Sequence, residues 1–193
     1  MEKENVEIII HGRGGQGAVT ACEIIAEAAY LSGNFIDVHA YPSFGAERRG
    51  APVQAYVKLS RTETIWDRAQ IEHPNILIVF DETVLNQDIA FSLKKGGIFI
   101  INSDKKPTYF VEKFHLTDVK LVVADISKLA LEKNLTIDGV PVINTPILGL
   151  LSKALPDLSL ENLMKVISRR MEEKLAKQNN ELISEGYELA QIL

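Results

Sequence analysis

The chain opens with an apolar block, a glycine-rich turn and a second apolar block of different period. Residues 6–10 form a short, largely β-branched run, which is typical of a buried strand. From residue 15 to about residue 31 the apolar positions recur at helical spacing, so we expect a helix with one face against a sheet. The pattern therefore predicts a βα unit at the start of the chain.

Farther along, apolar runs and amphipathic stretches alternate. Strands are predicted at residues 35–42, 51–59, 75–80, 97–102 and 121–124, with a short edge strand at 109–111. Helices are predicted at 83–94, 126–134, 147–154, 159–175 and 180–193, and Ser159 is the expected N-cap of the fourth. This order indicates an α/β protein with a doubly wound, mostly parallel open sheet, Rossmann-like, and a helical C-terminal end. We expect a single domain over residues 1–193.

The turn after the first strand carries glycines at G-x-G-x-x-G spacing, Gly12, Gly14 and Gly17, with Gly15 in addition. Glycine lets the backbone approach a ligand closely, and a helix N-terminus offers free N–H groups to an anion. A dinucleotide site also needs an acid at the tip of the second strand, about 20 residues on. Asp37 has that spacing but is expected inside the strand. NAD binding, a tight turn without ligand, and another anionic group or a partner subunit held at the turn all stay open.

A second distinctive stretch, YPSFGAERRGAP at residues 41–52, follows the second strand. We expect it beside the glycine turn, because loops gather over the carboxyl ends of the strands in an open parallel sheet. Arg48 and Arg49 suit phosphate or carboxylate, which a planar guanidinium binds as a fork. The alternative is a surface loop in which Glu47 forms a solvated ion pair with an arginine.

Charge and hydropathy argue against a nucleic-acid-binding protein and against a membrane protein. The formal charge of −5 and the pI near 5.4 argue against nucleic-acid binding, which would require a basic face. No apolar run approaches the roughly 18 residues of a membrane span, and no charged-then-apolar leader precedes the first strand. We therefore expect a cytoplasmic protein that contacts no membrane.

The chain has few cysteine and histidine residues that could bind a metal or act in catalysis. Cys22 is the only cysteine, so the chain has no disulfide and no self-contained iron–sulfur cluster, which takes about four thiolates. Its place on the apolar face of the first helix indicates a small buried hydrophobe rather than a nucleophile. The four histidines are far apart in sequence, and no metal site is predicted. Only His11, beside the glycine turn, is a candidate, for either a functional or a structural hydrogen bond.

Two motifs together, HGRGGQG after the first strand and YPSFGAERRGAPV after the second, resemble the gamma subunit of 2-oxoacid:ferredoxin oxidoreductases. The resemblance extends over nearly the whole chain. Asn144-Thr145 with Leu148-Gly149 is similar to an N-T-x-x-L-G-like stretch of that family, and residues 177–190 are similar to its C-terminal helix. The Ala51-Pro52-Val53 ending favours the pyruvate type. Enzymes of 2-oxoisovalerate share that ending, and the 2-oxoglutarate and indolepyruvate branches have related loops.

The resemblance implies one subunit of a complex in which cofactors perform the chemistry. Such complexes decarboxylate a 2-oxoacid on thiamine diphosphate with Mg²⁺, pass electrons through [4Fe–4S] clusters to ferredoxin, and transfer the acyl group to coenzyme A. The expected partners are alpha, beta and delta-type subunits, which would hold these cofactors. This chain has one cysteine and no G-D-G thiamine motif, so by itself we expect it to bind none of them and to carry no catalytic residue.

The candidate contacts to coenzyme A or to a partner subunit lie in the two motifs. They are Gly12, Arg13, Gly14, Gly15, Gln16, Gly17, Glu47, Arg48 and Arg49. Coenzyme A carries several phosphates, and these two loops are the parts of the chain best suited to anions. Two other functions stay open: a free-standing Rossmann-type nucleotide-binding oxidoreductase, and a structural subunit whose loops contact only protein.

Overall fold

The structure is a computed structural model that describes residues 5–43 and 48–193. Its strands are β1 (Val6–Arg13), β2 (Asp37–Pro42), β3 (Pro52–Ser60), β4 (Ile76–Val79), β5 (Ile98–Asn102), β6 (Lys120–Ala124), β7 (Thr136–Ile137), β8 (Val140–Pro141) and β9 (Gln191–Ile192). Its α-helices are α1 (Ala18–Ser32), α2 (Gln87–Ser92), α3 (Pro107–Phe114), α4 (Ile126–Glu132), α5 (Ile147–Ala154), α6 (Leu160–Arg170) and α7 (Glu173–Leu189). A 3₁₀ turn at Glu82–Val84 follows β4.

Most of these strands belong to one mixed sheet in the order β2-β3-β1-β4-β5-β6-β9. The central strands β1, β4, β5 and β6 run parallel, which confirms the predicted α/β class. β3 runs antiparallel to both β1 and β2, and β9 runs antiparallel to β6. Only residues 43–51 separate β2 from β3, fewer than the roughly dozen residues that a crossover between parallel strands needs.

Apolar residues cover both faces of the sheet. On one face, Ile8 and Ile10 of β1 join the cluster formed with α1, α5, α6 and α7. On the other face, Ile9 joins residues of α2 and α3 together with Ile71. Because successive residues of a strand point to opposite faces, β1 is apolar without interruption from Ile8 to Ile10.

Two predictions for the middle of the chain differ from the structure. The predicted edge strand at 109–111 is wrong, because these residues lie in α3. This helix starts with Pro107 at its first position and buries Phe110 and Phe114, which are one turn apart. The helix predicted at 83–94 is shorter and divided, since a 3₁₀ turn precedes α2.

The C-terminal helices have other boundaries than predicted. The N-cap is confirmed, since Oγ of Ser159 accepts a hydrogen bond from the N–H of Asn162 at 3.2 Å. However, α6 ends before Met171, whose extended backbone separates it from α7. After α7 the chain leaves the helix and pairs with β6 as β9, a long-range contact that overrides local helix propensity. In the described part of the chain, no helix is long and apolar enough to cross a membrane.

Candidate functional site

The glycine turn (residues 12–17) and the arginine loop (residues 48–51) lie in direct contact. β1 and β2 both run antiparallel to β3, so their carboxyl ends reach the same edge of the sheet. There the N–H of Gly14 donates to the carbonyl of Ala51 at 2.8 Å, and the N–H of Gly50 donates to the carbonyl of Gly14 at 3.0 Å. The expected proximity of the two segments is confirmed.

Two glycines of the turn are required by the close approach of the protein's own chain. A Cβ on Gly14 would lie 2.3 Å from the carbonyl oxygen of Arg48. A Cβ on Gly17 would lie 2.4 Å from the side-chain nitrogen of Asn144, and Gly17 also adopts a left-handed backbone with φ of 77°. A larger residue at either position would displace a neighbouring segment, so packing accounts for both glycines.

Gln16 and Arg13 close the turn by reciprocal hydrogen bonds. Oε1 of Gln16 accepts from the N–H of Arg13 at 2.7 Å, and the N–H of Gln16 donates to the carbonyl of Arg13 at 3.0 Å. Gly12 lies within β1 and is buried, whereas Gly15 is exposed beside the Arg49 side chain. The backbone of the turn is therefore held by one backbone hydrogen bond and by the side chain of Gln16.

The guanidinium of Arg13 joins three segments of the chain. Its Nε donates to Oδ2 of Asp81 at 3.0 Å, its Nη2 donates to Oγ1 of Thr83 at 2.7 Å, and its Nη1 donates to the carbonyl of Gly50 at 3.0 Å. Partial burial of Asp81 opposes its ionisation, but hydrogen bonds from Thr83 and from Arg13 hold the pKa of this carboxyl below its usual value. Arg13 therefore braces the glycine turn against the arginine loop.

The two adjacent arginines have different surroundings. The side chain of Arg49 is 74% exposed, and its Nη2 lies 3.2 Å from Oδ2 of Asp138, which is 70% exposed. Arg48 is exposed, and its carbonyl accepts from the N–H of Ala51 at 3.0 Å. Glu47 lies outside the described residues. Of the two arginines, Arg49 lines the cavity beside the glycine turn.

That cavity has a volume of about 590 Å³ and lies between the glycine turn, the β7–β8 hairpin and the first part of α7. Polar groups come from the turn and from Thr20, Arg49, Asn144 and Asn179. The apolar lining is made by Leu135, Ile137, Val140, Pro141, Val142, Met171 and Leu175. A guanidinium beside an apolar wall suits a ligand that has both anionic and apolar parts.

α1 adds a second feature that suits anions. The helix begins at Ala18, directly after the turn, and no described side chain caps it at Gly17. The first N–H groups of a helix have no partner within the helix, and they form the positive end of its dipole. The helix terminus, the turn and Arg49 therefore offer donors on one side of the cavity.

Three polar residues near this site, Asn144, Thr145 and Asn179, were missed as site residues. The side chain of Asn144 packs against Gly17. The hydroxyl of Thr145 donates to Oδ1 of Asn179, and both residues are buried. The N-T-x-x-L-G-like stretch did single out Asn144 and Thr145, but their partners are distant in sequence. The β7–β8 hairpin was also missed, although Asp138-Gly139 is a dipeptide typical of such turns.

His11, the one candidate histidine, and Cys22 are both buried. His11 has a pKa lowered to about 4 by burial, and its Nδ1 lies 3.5 Å from Nε2 of Gln54. Burial, together with the charge of Glu23, raises the pKa of the Cys22 thiol, which is in the core. The interpretation of Cys22 as a small buried hydrophobe is confirmed, since a buried thiol of raised pKa is a poor nucleophile.

Asp37, the acid with the spacing of a dinucleotide site, lies at the end of β2 that is remote from the glycine turn. Asp37 is the first residue of β2, whereas the glycine turn lies beside the end of that strand. Its carboxylate accepts from the N–H of Ile65 at 2.7 Å, a structural role. Among residues 5–43 and 48–193, no group of three or more His, Cys, Asp or Glu side chains is arranged to hold a metal ion.

Comparisons with known proteins agree on one family. The family model described as pyruvate ferredoxin/flavodoxin oxidoreductase matches residues 7–189. The "Pyruvate/ketoisovalerate oxidoreductases common subunit gamma" of Thermococcus litoralis is 40% identical over 184 residues, which cover 95% of this chain and 96% of that protein.

Solved structures share the fold. The crystal structure of pyruvate oxidoreductase subunit PORC from Thermotoga maritima has a TM-score of 0.82 at 32% identity, over 98% of both chains. The 2-oxoglutarate:ferredoxin oxidoreductase from Magnetococcus marinus, with 2-oxoglutarate, coenzyme A and succinyl-CoA bound, has a TM-score of 0.76 at 22% identity, over 97% of this chain and 31% of that chain. The family match over nearly the whole length and the identity to full-length relatives lead to one conclusion: the chain belongs to the pyruvate ferredoxin/flavodoxin oxidoreductase family.

Proposed function

We propose that this chain is the gamma subunit of a multi-subunit 2-oxoacid:ferredoxin oxidoreductase of the pyruvate type, and that its cavity helps to bind coenzyme A. In this function the complex oxidatively decarboxylates the 2-oxoacid to an acyl-CoA and passes the electrons to ferredoxin. The names of the relatives support the subunit assignment, since they are gamma or PORC chains of pyruvate enzymes.

Partner subunits of alpha, beta and delta type supply the redox chemistry in this proposal. A [4Fe–4S] cluster does not fit this chain, because its one thiol, Cys22, is fully buried in the core. The clusters are therefore assigned to the partners. Thiamine diphosphate with its Mg²⁺ is assigned to them too, because this chain has no G-D-G thiamine motif. The contribution of this chain is to bind and orient the acyl acceptor.

The observation that carries the coenzyme A role is the composition of the cavity lining. Arg49 and the uncapped start of α1 offer donors to phosphate groups, and the hairpin and α7 offer an apolar wall to the pantetheine arm. Coenzyme A is bound in the Magnetococcus marinus enzyme, part of which has the fold of this chain. Arg13 is committed to Asp81 and Thr83, so we assign the ligand contact to Arg49 and a supporting role to Arg13.

The rim of the cavity also suits a protein partner. Ile137, Val140 and Leu175 line it and remain exposed in this chain. Apolar side chains that cluster at a cavity mouth are typical of surfaces that another subunit covers. A ligand held here would thus lie at the boundary between this chain and a partner.

The change Arg49→Ala in the assembled enzyme tests the coenzyme A role. The half-saturating concentration of coenzyme A should rise roughly 10- to 150-fold, because a charge-assisted hydrogen bond contributes about 1.5–3 kcal/mol. Arg49→Lys should recover part of the loss, since it keeps the charge but not the planar fork. The half-saturating concentration of the 2-oxoacid and the thiamine content should change little.

Arg68→Ala is the matched control, because Arg68 is exposed and lies in the segment between β3 and β4, which carries no residue of the cavity. It should leave coenzyme A saturation unchanged. If Arg49→Ala weakened assembly but left coenzyme A saturation normal in the remaining complex, the loop would be structural and the ligand role would be wrong.

A further inference from the structure

The β7–β8 hairpin places the carboxylate of Asp138 against the guanidinium of Arg49, which lines the cavity. Its pairing, Thr136 with Pro141 and Ile137 with Val140, leaves Asp138 and Gly139 as a two-residue turn. Both turn residues have positive φ, 51° and 77°, as in the tight turns that favour Asp-Gly and Asn-Gly. The turn therefore places Asp138 at the tip of the hairpin.

Arg49, in contrast, extends from a braced segment. The arginine loop is held to the glycine turn by two backbone hydrogen bonds on Gly14 and by the bond from Arg13 to the Gly50 carbonyl. Only the outer part of the Arg49 side chain is free to change partner, and it bonds Asp138 at 3.2 Å. Exposed pairs of this kind contribute little stability, so an anion can exchange for the carboxylate.

We infer that Asp138 is a positioning residue that holds the Arg49 guanidinium at the cavity and competes with the phosphate of the ligand for it. This inference rests on the proposed coenzyme A role. In the free chain the Arg49–Asp138 pair holds the guanidinium at the tip of the hairpin, while Cγ of the same side chain lies beside Gly15. When a phosphate binds, it takes the place of the Asp138 carboxylate on Arg49, so the ion pair must break before the phosphate can use this guanidinium.

The test is a cycle of variants in the assembled enzyme. Asp138→Asn keeps a residue that tolerates the left-handed turn but removes the competing charge. It should lower the half-saturating concentration of coenzyme A by about 1.5- to 5-fold, the range expected for an exposed ion pair, with kcat unchanged. In an Arg49→Ala background the same change should leave the half-saturating concentration of coenzyme A unaltered, because Asp138 then has no guanidinium to bind.

Glu132→Gln controls for the overall change of charge, since Glu132 is an exposed acid on α4 whose ion-pair partner is Lys128. This control should leave coenzyme A saturation unchanged. If Arg49→Ala raises the coenzyme A requirement while Asp138→Asn has no effect, or has the same effect with and without Arg49, the competition is wrong and the ligand role stands. If Arg49→Ala itself has no effect, the ligand role and the competition are both wrong.

Discussion

At the scale of single residues, His11 makes the stability of the fold sensitive to mild acid. Burial lowers its pKa from 6.5 to about 4, so between these values the unfolded chain takes up a proton that the folded chain excludes. The free energy of unfolding therefore loses nothing through His11 above about pH 6.5, and it decreases as the pH drops toward 4. One pKa unit corresponds to about 1.4 kcal/mol, so the loss approaches about 3 kcal/mol.

Urea unfolding of the chain at several pH values between 7 and about 4 measures this loss. His11→Phe keeps a flat ring and removes the titration, so its stability should change less over this window. His73→Ala, at an exposed histidine, should keep the full pH dependence of the wild type. If His11→Phe lost as much stability as the wild type, another group would be the source.

At the scale of elements, the contact between α5 and α7 depends on two glycines. A Cβ on Gly149 would lie 2.2 Å from the carbonyl oxygen of Ile183, and one on Gly186 would lie 2.4 Å from the carbonyl oxygen of Pro146. The helices therefore meet backbone to backbone. This contact sets the distance at which Thr145 reaches Asn179 beside the cavity.

Gly149→Ala should separate the two helices and lower the free energy of unfolding by about 1–3 kcal/mol, the usual cost of inserting a methyl group into a packed contact. Urea unfolding would show it as a lower midpoint with an unchanged slope. Gln178→Ala, at an exposed position of α7, controls for the effect of alanine in a helix. An unchanged midpoint for Gly149→Ala would mean that the helices adjust without cost.

The elements also show what local sequence patterns can predict. The apolar runs of β4 and β5 and the N-cap Ser159 depend on near neighbours, and these were predicted. The role of Arg13 depends on Asp81, 68 residues away, and that of Thr145 depends on Asn179, 34 residues away. Spacing along the chain carries no information on such contacts. The proximity of the two motifs followed from the expected order of the strands, but the side-chain partners of Arg13 and Thr145 did not.

At the scale of the whole molecule, the proposed division of labour predicts that the purified chain alone is colourless and inactive. Cys22 is too deeply buried to ligate a cluster, so no visible absorption from iron and sulfur should appear. The measurement is a visible spectrum and an assay of dye or ferredoxin reduction with pyruvate and coenzyme A. The complex reconstituted with its partner subunits is the positive control, and reduction by the isolated chain would contradict the assignment.

The contact between Gly14 and the Arg48 carbonyl has a consequence for recognising nucleotide sites in other chains. The G-x-G-x-x-G spacing is usually interpreted as a motif that binds the pyrophosphate of a dinucleotide. Here the Arg48 carbonyl requires Gly14, and Asn144 requires Gly17, so these two glycines would be needed even if no nucleotide bound. The motif therefore indicates a nucleotide site only where the turn is open to a ligand. The sequence of a strand–turn–helix unit does not tell whether its turn is open or is covered by another segment of the same chain.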